Sequence, residues 1–157
     1  MNVNIMIIDD SKIDLFVSQK IIEKVNSNCK IKPFSSANAA LDFLKKLEDE
    51  SRQAMFIPDV IFLDINMPEM NGFEFLKEFS KLKNVGKKNI KIYMLSSSTN
   101  SQDIKKAKSS SNCVGFVNKP LTTASLDEII VRYRPYLEEF DYQAEDVNLK
   151  RKVKLVG

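Results

Sequence analysis

Asp59-Val-Ile-Phe-Leu-Asp64-Ile-Asn-Met-Pro-Glu-Met-Asn-Gly72 decides how this chain is read. Val60 to Leu63 is an unbroken apolar run without polar alternation, the pattern of a strand buried on both faces, as in a parallel sheet covered by helices. The run ends at the carboxylate of Asp64. In open parallel sheets ligands gather at the carboxyl ends of the strands, which places Asp64 where chemistry is usually found. Pro68 and Asn71-Gly72 mark a turning loop before the next helix.

Outward from this stretch, strand and helix alternate. Asn4 to Ile8 is a short apolar run ending in Asp9-Asp10, and Ser11 is placed to cap the following helix. In that helix Ile13, Val17, Ile21 and Val25 recur at i+4 and predict one apolar stripe facing the core. Ile31 to Phe34 is a second strand, and Pro33 within it suits an edge position. Ala40, Leu44 and Leu47 give a helical period between Ser36 and Leu47. After the central loop come a helix over Phe73–Leu82, a strand over Ile90–Leu95 that ends in Ser96-Ser-Ser-Thr-Asn100, and a short helix over Ser101–Lys108. A fifth strand, Val114–Val117, ends at Asn118-Lys119-Pro120, and Leu126 to Tyr133 belongs to a last amphipathic helix. Five such units with short connections imply a doubly wound parallel α/β sheet.

The chain has 157 residues, 43% hydrophobic and 29% charged, which fits one globular domain. No apolar run reaches the roughly 18–20 residues of a membrane helix. The first residues lead into a strand without the basic region and cleavage site of a signal peptide, so a cytoplasmic location is expected. Cys29 and Cys113 are too few for a disulfide framework or zinc site and read as reduced core thiols. There is no His, which excludes His-based catalysis, His metal ligation and a phosphohistidine carrier role. The net charge of +3 comes from the tail: without Lys150, Arg151, Lys152 and Lys154 it becomes −1. Nothing in the body argues for nucleic acid.

Four of the five strands end in polar residues on one rim: Asp9-Asp10, Asp64, Ser96 and Lys119. Three carboxylates gathered in a partly desolvated cleft repel unless one protonates or a cation joins them. An all-oxygen, His-free site selects a hard divalent ion, and Mg²⁺ is the natural candidate. A carboxylate beside such a cation, with a Lys and a hydroxyl nearby, is equipped to accept a phosphoryl group.

Taken together, Asp9-Asp10 after strand one, Asp64 with its Met-Pro-x-x-Asn-Gly loop after strand three, Ser96 after strand four and Lys119-Pro120 after strand five resemble the receiver domain of two-component response regulators. The resemblance covers about residues 3 to 134, and five elements in order make it specific. It implies a flavodoxin-like fold with strand order 2-1-3-4-5, and a receiver domain over 1–134 followed by an extension over 135–157. It further implies phosphorylation of Asp64 by a sensor histidine kinase or a histidine phosphotransfer protein. Asp10 matches the acid that ligates Mg²⁺ directly, Asp9 supports it through water, and the main-chain carbonyl of Asn66 is the third protein ligand beside Asp64. Lys119 matches the lysine that pairs with the phosphoryl oxygens, and its bond to Pro120 is expected to be cis. Ser96 takes the place of the switching hydroxyl. Phe116 occupies the aromatic switch position, where Tyr is more familiar, so an output through a phenolic hydrogen bond is not expected. Asn66 and Ser98 resemble the variable positions that adjust the lifetime of the acyl phosphate.

Singly, each element has a plainer explanation: an Asp-Asp pair before a helix caps it and meets its dipole, and a lone Ser or Lys on a loop is solvated. Their joint arrangement favours a phosphoacceptor that signals to a protein partner by a population shift and is not an enzyme in its own right. Two alternatives stand beside it. One is a receiver-like interaction module that works without phosphorylation. The other is an aspartate-nucleophile phosphohydrolase, disfavoured because such enzymes carry a second Asp two residues after the nucleophile, where this chain has Asn66. Residues 134–157 are too few for a helix-turn-helix DNA-binding domain, so a stand-alone receiver is expected. Within them Tyr136, Leu137, Phe140 and Tyr142 are apolar enough to pack on the domain or on a second copy in a homodimer, and the basic end reads equally well as a solvated extension.

Overall fold

A computed structural model describes residues 3–48, 56–83, 89–97, 101–107 and 110–132. The elements run β1 (Asn4–Ile8), α1 (Lys12–Val25), β2 (Lys30–Phe34), α2 (Ala37–Lys46), β3 (Val60–Asp64), α3 (Gly72–Phe79), β4 (Lys91–Ser96), α4 (Ser101–Ala107) and β5 (Cys113–Asn118). All strand pairs are parallel, in the order β2-β1-β3-β4-β5. This is the five-stranded flavodoxin-like arrangement expected from the sequence. The described residues up to 123 belong to one compact unit, and the described residues 124–132, which are helical, to a second. No helix among the described residues is long and apolar enough to cross a membrane.

Every residue of β3 is buried, as its unalternated sequence predicts. Ile61 and Leu63 join Met6, Ile8, Ile92 and Met94 in a cluster with Leu44 of α2 and Phe75 and Phe79 of α3. The intervening Ile5, Ile7 and Phe62 are equally buried, and by strand alternation they face the other side of the sheet. β2 lies at the edge, where Pro33 costs no interior ladder bond.

The helix starts are built by side chains. The Ser11 hydroxyl accepts from the Asp14 amide, and the Ser36 hydroxyl from the Ala39 amide. Asn71 caps α3 by accepting from the amides of Phe73 and Glu74, while Glu74 accepts from the Asn71 amide and closes a capping box. Gly72 is therefore the first residue of α3 and not part of the turn. A Cβ there would lie 2.6 Å from the Asp64 carbonyl oxygen and 2.9 Å from Met94 Cε, so only Gly lets the helix start so close to β3.

The expected core stripe of α1 is overturned. Leu15, Ser18 and Ile22 are its buried residues, whereas Ile13 is 74% exposed, Phe16 59% and Val17 36%. Residues at strict i+4 spacing drift around a helix of 3.6 residues per turn, and the i, i+3, i+7 set stays on one face even though its middle member is polar. Cys29 and Cys113 are free thiols, as expected, and both are half-buried; Cys113 packs against the core cluster, and burial raises both above the ordinary thiol range. Ser98 and the extension over 135–157 lie outside the described residues.

Candidate functional site

Main-chain bonds carry the sheet ladder one step past the strands and fix the rim. The Asp9 amide donates to the Phe34 carbonyl at 3.0 Å, Ile65 to Leu95 at 3.2 Å and Lys119 to Ser96 at 2.8 Å. The Asp9 carboxylate accepts from the Ser11 amide at 2.9 Å, which turns the chain from β1 into α1. Asp9 and Asp64 are thus held by the sheet itself, and Asp10 projects from the turn between β1 and α1.

Asp9, Asp10 and Asp64 each bring a carboxylate oxygen to within 4.8 Å of the others. Asp9 and Asp64 are buried, whereas Asp10 is exposed. Lys119 reaches into the group, its Nζ lying 2.7 Å from Asp9 Oδ2 and 2.9 Å from Asp64 Oδ1. The ammonium is the one group that meets this fully buried Asp9 oxygen among the described residues. A third carboxylate, Asp14 of α1, accepts from the same ammonium at 3.1 Å. The Lys119–Pro120 peptide is cis, as expected.

Burial raises the Asp64 carboxyl above its usual range; Lys119 pulls it back and the neighbouring Asp9 charge pushes it further up. Asp9 is raised in the same way, by burial first and against the pull of Lys119. For Lys119, burial works to lower the ammonium, but its pairing with Asp9 and Asp64 outweighs this and leaves it above the usual lysine range. The site is a desolvated cluster of negative charge held by one ammonium, and it is short of positive charge.

The remaining sequence-derived residues fall on the same rim or beside it. Ser96 is buried at the end of β4. Phe116, on the neighbouring edge strand β5, pairs with Met94 and packs partly buried against the core cluster. Asn66 is exposed, two residues past Asp64. Asp14 is the residue that sequence reasoning missed. Its signal was its place one helical turn after Asp10, which keeps a first-turn carboxylate of α1 on the side of the strand ends.

A sequence model described as "Response regulator receiver domain" matches residues 5–131. The chain belongs to this family. Among solved structures, this receiver is similar to a two-component response regulator from Cytophaga hutchinsonii, with 31% identity, 84% of this chain and 96% of that one covered, and a TM-score of 0.72. It is 23% identical over 132 residues to the "Probable methanogenesis regulatory protein FilR2" of Methanothrix harundinacea, covering 84% of this chain and 81% of that protein. A protein-glutamate methylesterase/protein-glutamine glutaminase of Clostridium acetobutylicum is 36% identical over 81 residues, 52% of this chain but only 21% of that protein. The chain therefore spans about a fifth of that enzyme.

Receiver domains bind Mg²⁺ in an acidic pocket of this kind. The residues present fit the ion: three carboxylates offer oxygen donors alone, and one ammonium is all that offsets the buried Asp9 and Asp64 within the group. A divalent cation held there would supply the positive charge that the cluster lacks.

Proposed function

We propose that this receiver accepts a phosphoryl group on Asp64 from a phosphohistidine-bearing protein, a sensor histidine kinase or a histidine phosphotransfer protein. The observation that carries this reading is the Asp64 carboxylate itself: buried at the end of β3, 2.9 Å from Lys119, and sharing a pocket with Asp9 and Asp10. The Asp64 oxygen attacks phosphorus, the phosphorus–nitrogen bond breaks as the new phosphorus–oxygen bond forms, and the imidazole leaves with the electron pair and takes up a proton. Lys119 pairs with the phosphoryl oxygens and offsets their charge. Asp10, Asp64 and the Asn66 carbonyl would hold Mg²⁺, with Asp9 supporting them, and the bound ion would supply positive charge toward the phosphoryl oxygens.

Ser96 and Phe116 report the occupancy of Asp64. The Ser96 hydroxyl moves to the phosphoryl group, the Phe116 ring turns inward, and a downstream protein binds the population that results. Asn66 and Ser98 tune how long the acyl phosphate lasts. The donor docks over the rim where α1 begins, and the exposed Ile13 and Phe16 give it an apolar foothold beside the acceptor. The protein works in the cytoplasm, with residues 1–134 as its receiver and 135–157 as an extension.

The test is incubation with phosphoramidate or acetyl phosphate. Label that forms in Mg²⁺, fails to form in EDTA and is discharged by hydroxylamine supports an acyl phosphate. A wild-type protein that stays unlabelled returns the reading to an interaction module that works without phosphorylation. Steady turnover of an added phosphomonoester would instead favour a phosphohydrolase.

A further inference from the structure

The ammonium of Lys119 has three protons and meets three carboxylates: Asp9 at 2.7 Å, Asp64 at 2.9 Å and Asp14 at 3.1 Å. These three partners are not equivalent. Asp9 and Asp64 lie in the pocket that fits a divalent cation, whereas Asp14 is absent from that group. It belongs to α1, at the third helical position, with its amide fixed by the Ser11 hydroxyl. Its side chain is 44% exposed while that of Lys119 is 17% exposed, so of the three it has the smallest desolvation to recover. When a cation shares Asp9 and Asp64, Asp14 is the one partner of Lys119 in this set that is not also a cation donor. When a phosphoryl group occupies Asp64, its oxygens need the charge that Asp14 also holds.

We propose that Asp14 is a positioning residue that tethers Lys119 toward α1 and withholds part of its charge from Asp64, thereby strengthening cation binding and slowing phosphoryl uptake. The two effects have opposite signs for one reason. A negative charge beside the pocket attracts a divalent cation and cancels some of the ammonium that opposes it, but it repels an incoming anionic phosphoryl donor and occupies the ammonium that would receive it. A carboxylate at this position that served only the helix dipole would have no cause to move the two in opposite directions.

This inference rests on the phosphoacceptor reading, and the experiment separates the two. Mg²⁺ affinity of the full chain is measured from amide chemical shifts, and phosphoramidate uptake at saturating Mg²⁺ from intact mass, for wild type, Asp14→Asn and Asp14→Glu. Asp14→Asn is expected to bind Mg²⁺ about two- to fivefold more weakly and to take up phosphoryl groups faster by a similar factor, the range for a partly exposed charge pair. Asp14→Glu, which keeps the charge, should restore both toward wild type. Thermal melting of each variant shows whether it is folded. Asn and wild type indistinguishable in both measurements, or both falling together with the melting temperature, would overturn the role of Asp14. A wild type that takes up no phosphoryl group sinks the phosphoacceptor reading instead, and the Mg²⁺ comparison still decides whether Asp14 governs the charge of the pocket.

Discussion

Asp64 is a carboxylate that folding makes harder to ionise. In the unfolded chain it returns to its ordinary 3.8, while burial holds it higher in the folded protein. Above 3.8 the folded protein therefore keeps a proton that the unfolded chain has released, and Asp64 weakens the fold as pH climbs through its folded value. Asp64→Asn removes that loss. Denaturant melts without divalent cations should show the variant gaining on wild type as pH rises from 3.8 toward neutrality; a pH-independent gap would contradict the raised carboxyl. Lys119 gives the complementary prediction. Lys119→Met leaves Asp9 and Asp64 without their cation and should cost roughly 3 kcal/mol of stability in EDTA, as breaking a buried ion pair does. Mg²⁺ should recover part of that loss and bind more tightly than to wild type, since the competing ammonium is gone. At this scale the sequence was informative: Asp9, Asp10, Asp64 and Lys119 were legible because each ends a strand or follows one closely. Asp14 was not, because only folding shows that Lys119 spans the rim to α1.

The elements show where pattern reading succeeds and where it fails. β3 was legible because full burial leaves no alternation, and β2 was placed at an edge by Pro33 alone. The face of α1 was misread because four aliphatic residues at i+4 spacing outnumber a buried stripe that includes Ser18. Ile22→Ala should therefore cost about 3 kcal/mol by leaving a cavity, whereas Ile13→Ala should stay within about 0.5 kcal/mol as a surface change. Chemical denaturation distinguishes them. Ile13→Ser, which removes the apolar side chain without adding charge, should leave uptake from phosphoramidate unchanged while slowing transfer from a phosphohistidine protein, since on the proposed reading the protein donor alone uses the α1 surface. Equal rates from that donor would remove α1 from the docking surface. Gly72 was read as part of a turn, but its necessity lies in packing: Gly72→Ala meets the Asp64 carbonyl and should cost about 1–3 kcal/mol, as overpacking does.

For the whole molecule, the order of the strands is what creates the site. β1 and β3 are neighbours in the sheet although a full βα unit separates them in the chain, and this brings Asp9 and Asp10 beside Asp64. β5 at the far edge sends Lys119 to the same rim through its ladder bond to Ser96. That convergence was legible as a family resemblance because five short motifs occur in the order that this topology requires. The proposed response of Ser96 and Phe116 to occupancy is a shift between two states, and a sequence motif fixes positions rather than populations. The central claim is that one phosphoryl group is carried on Asp64. Intact-mass measurement after incubation with phosphoramidate and Mg²⁺, wild type beside Asp64→Asn, tests it most directly: the account predicts the mass of one added phosphoryl group on wild type and none on the variant, and equal modification of the two, or none on either, would contradict it.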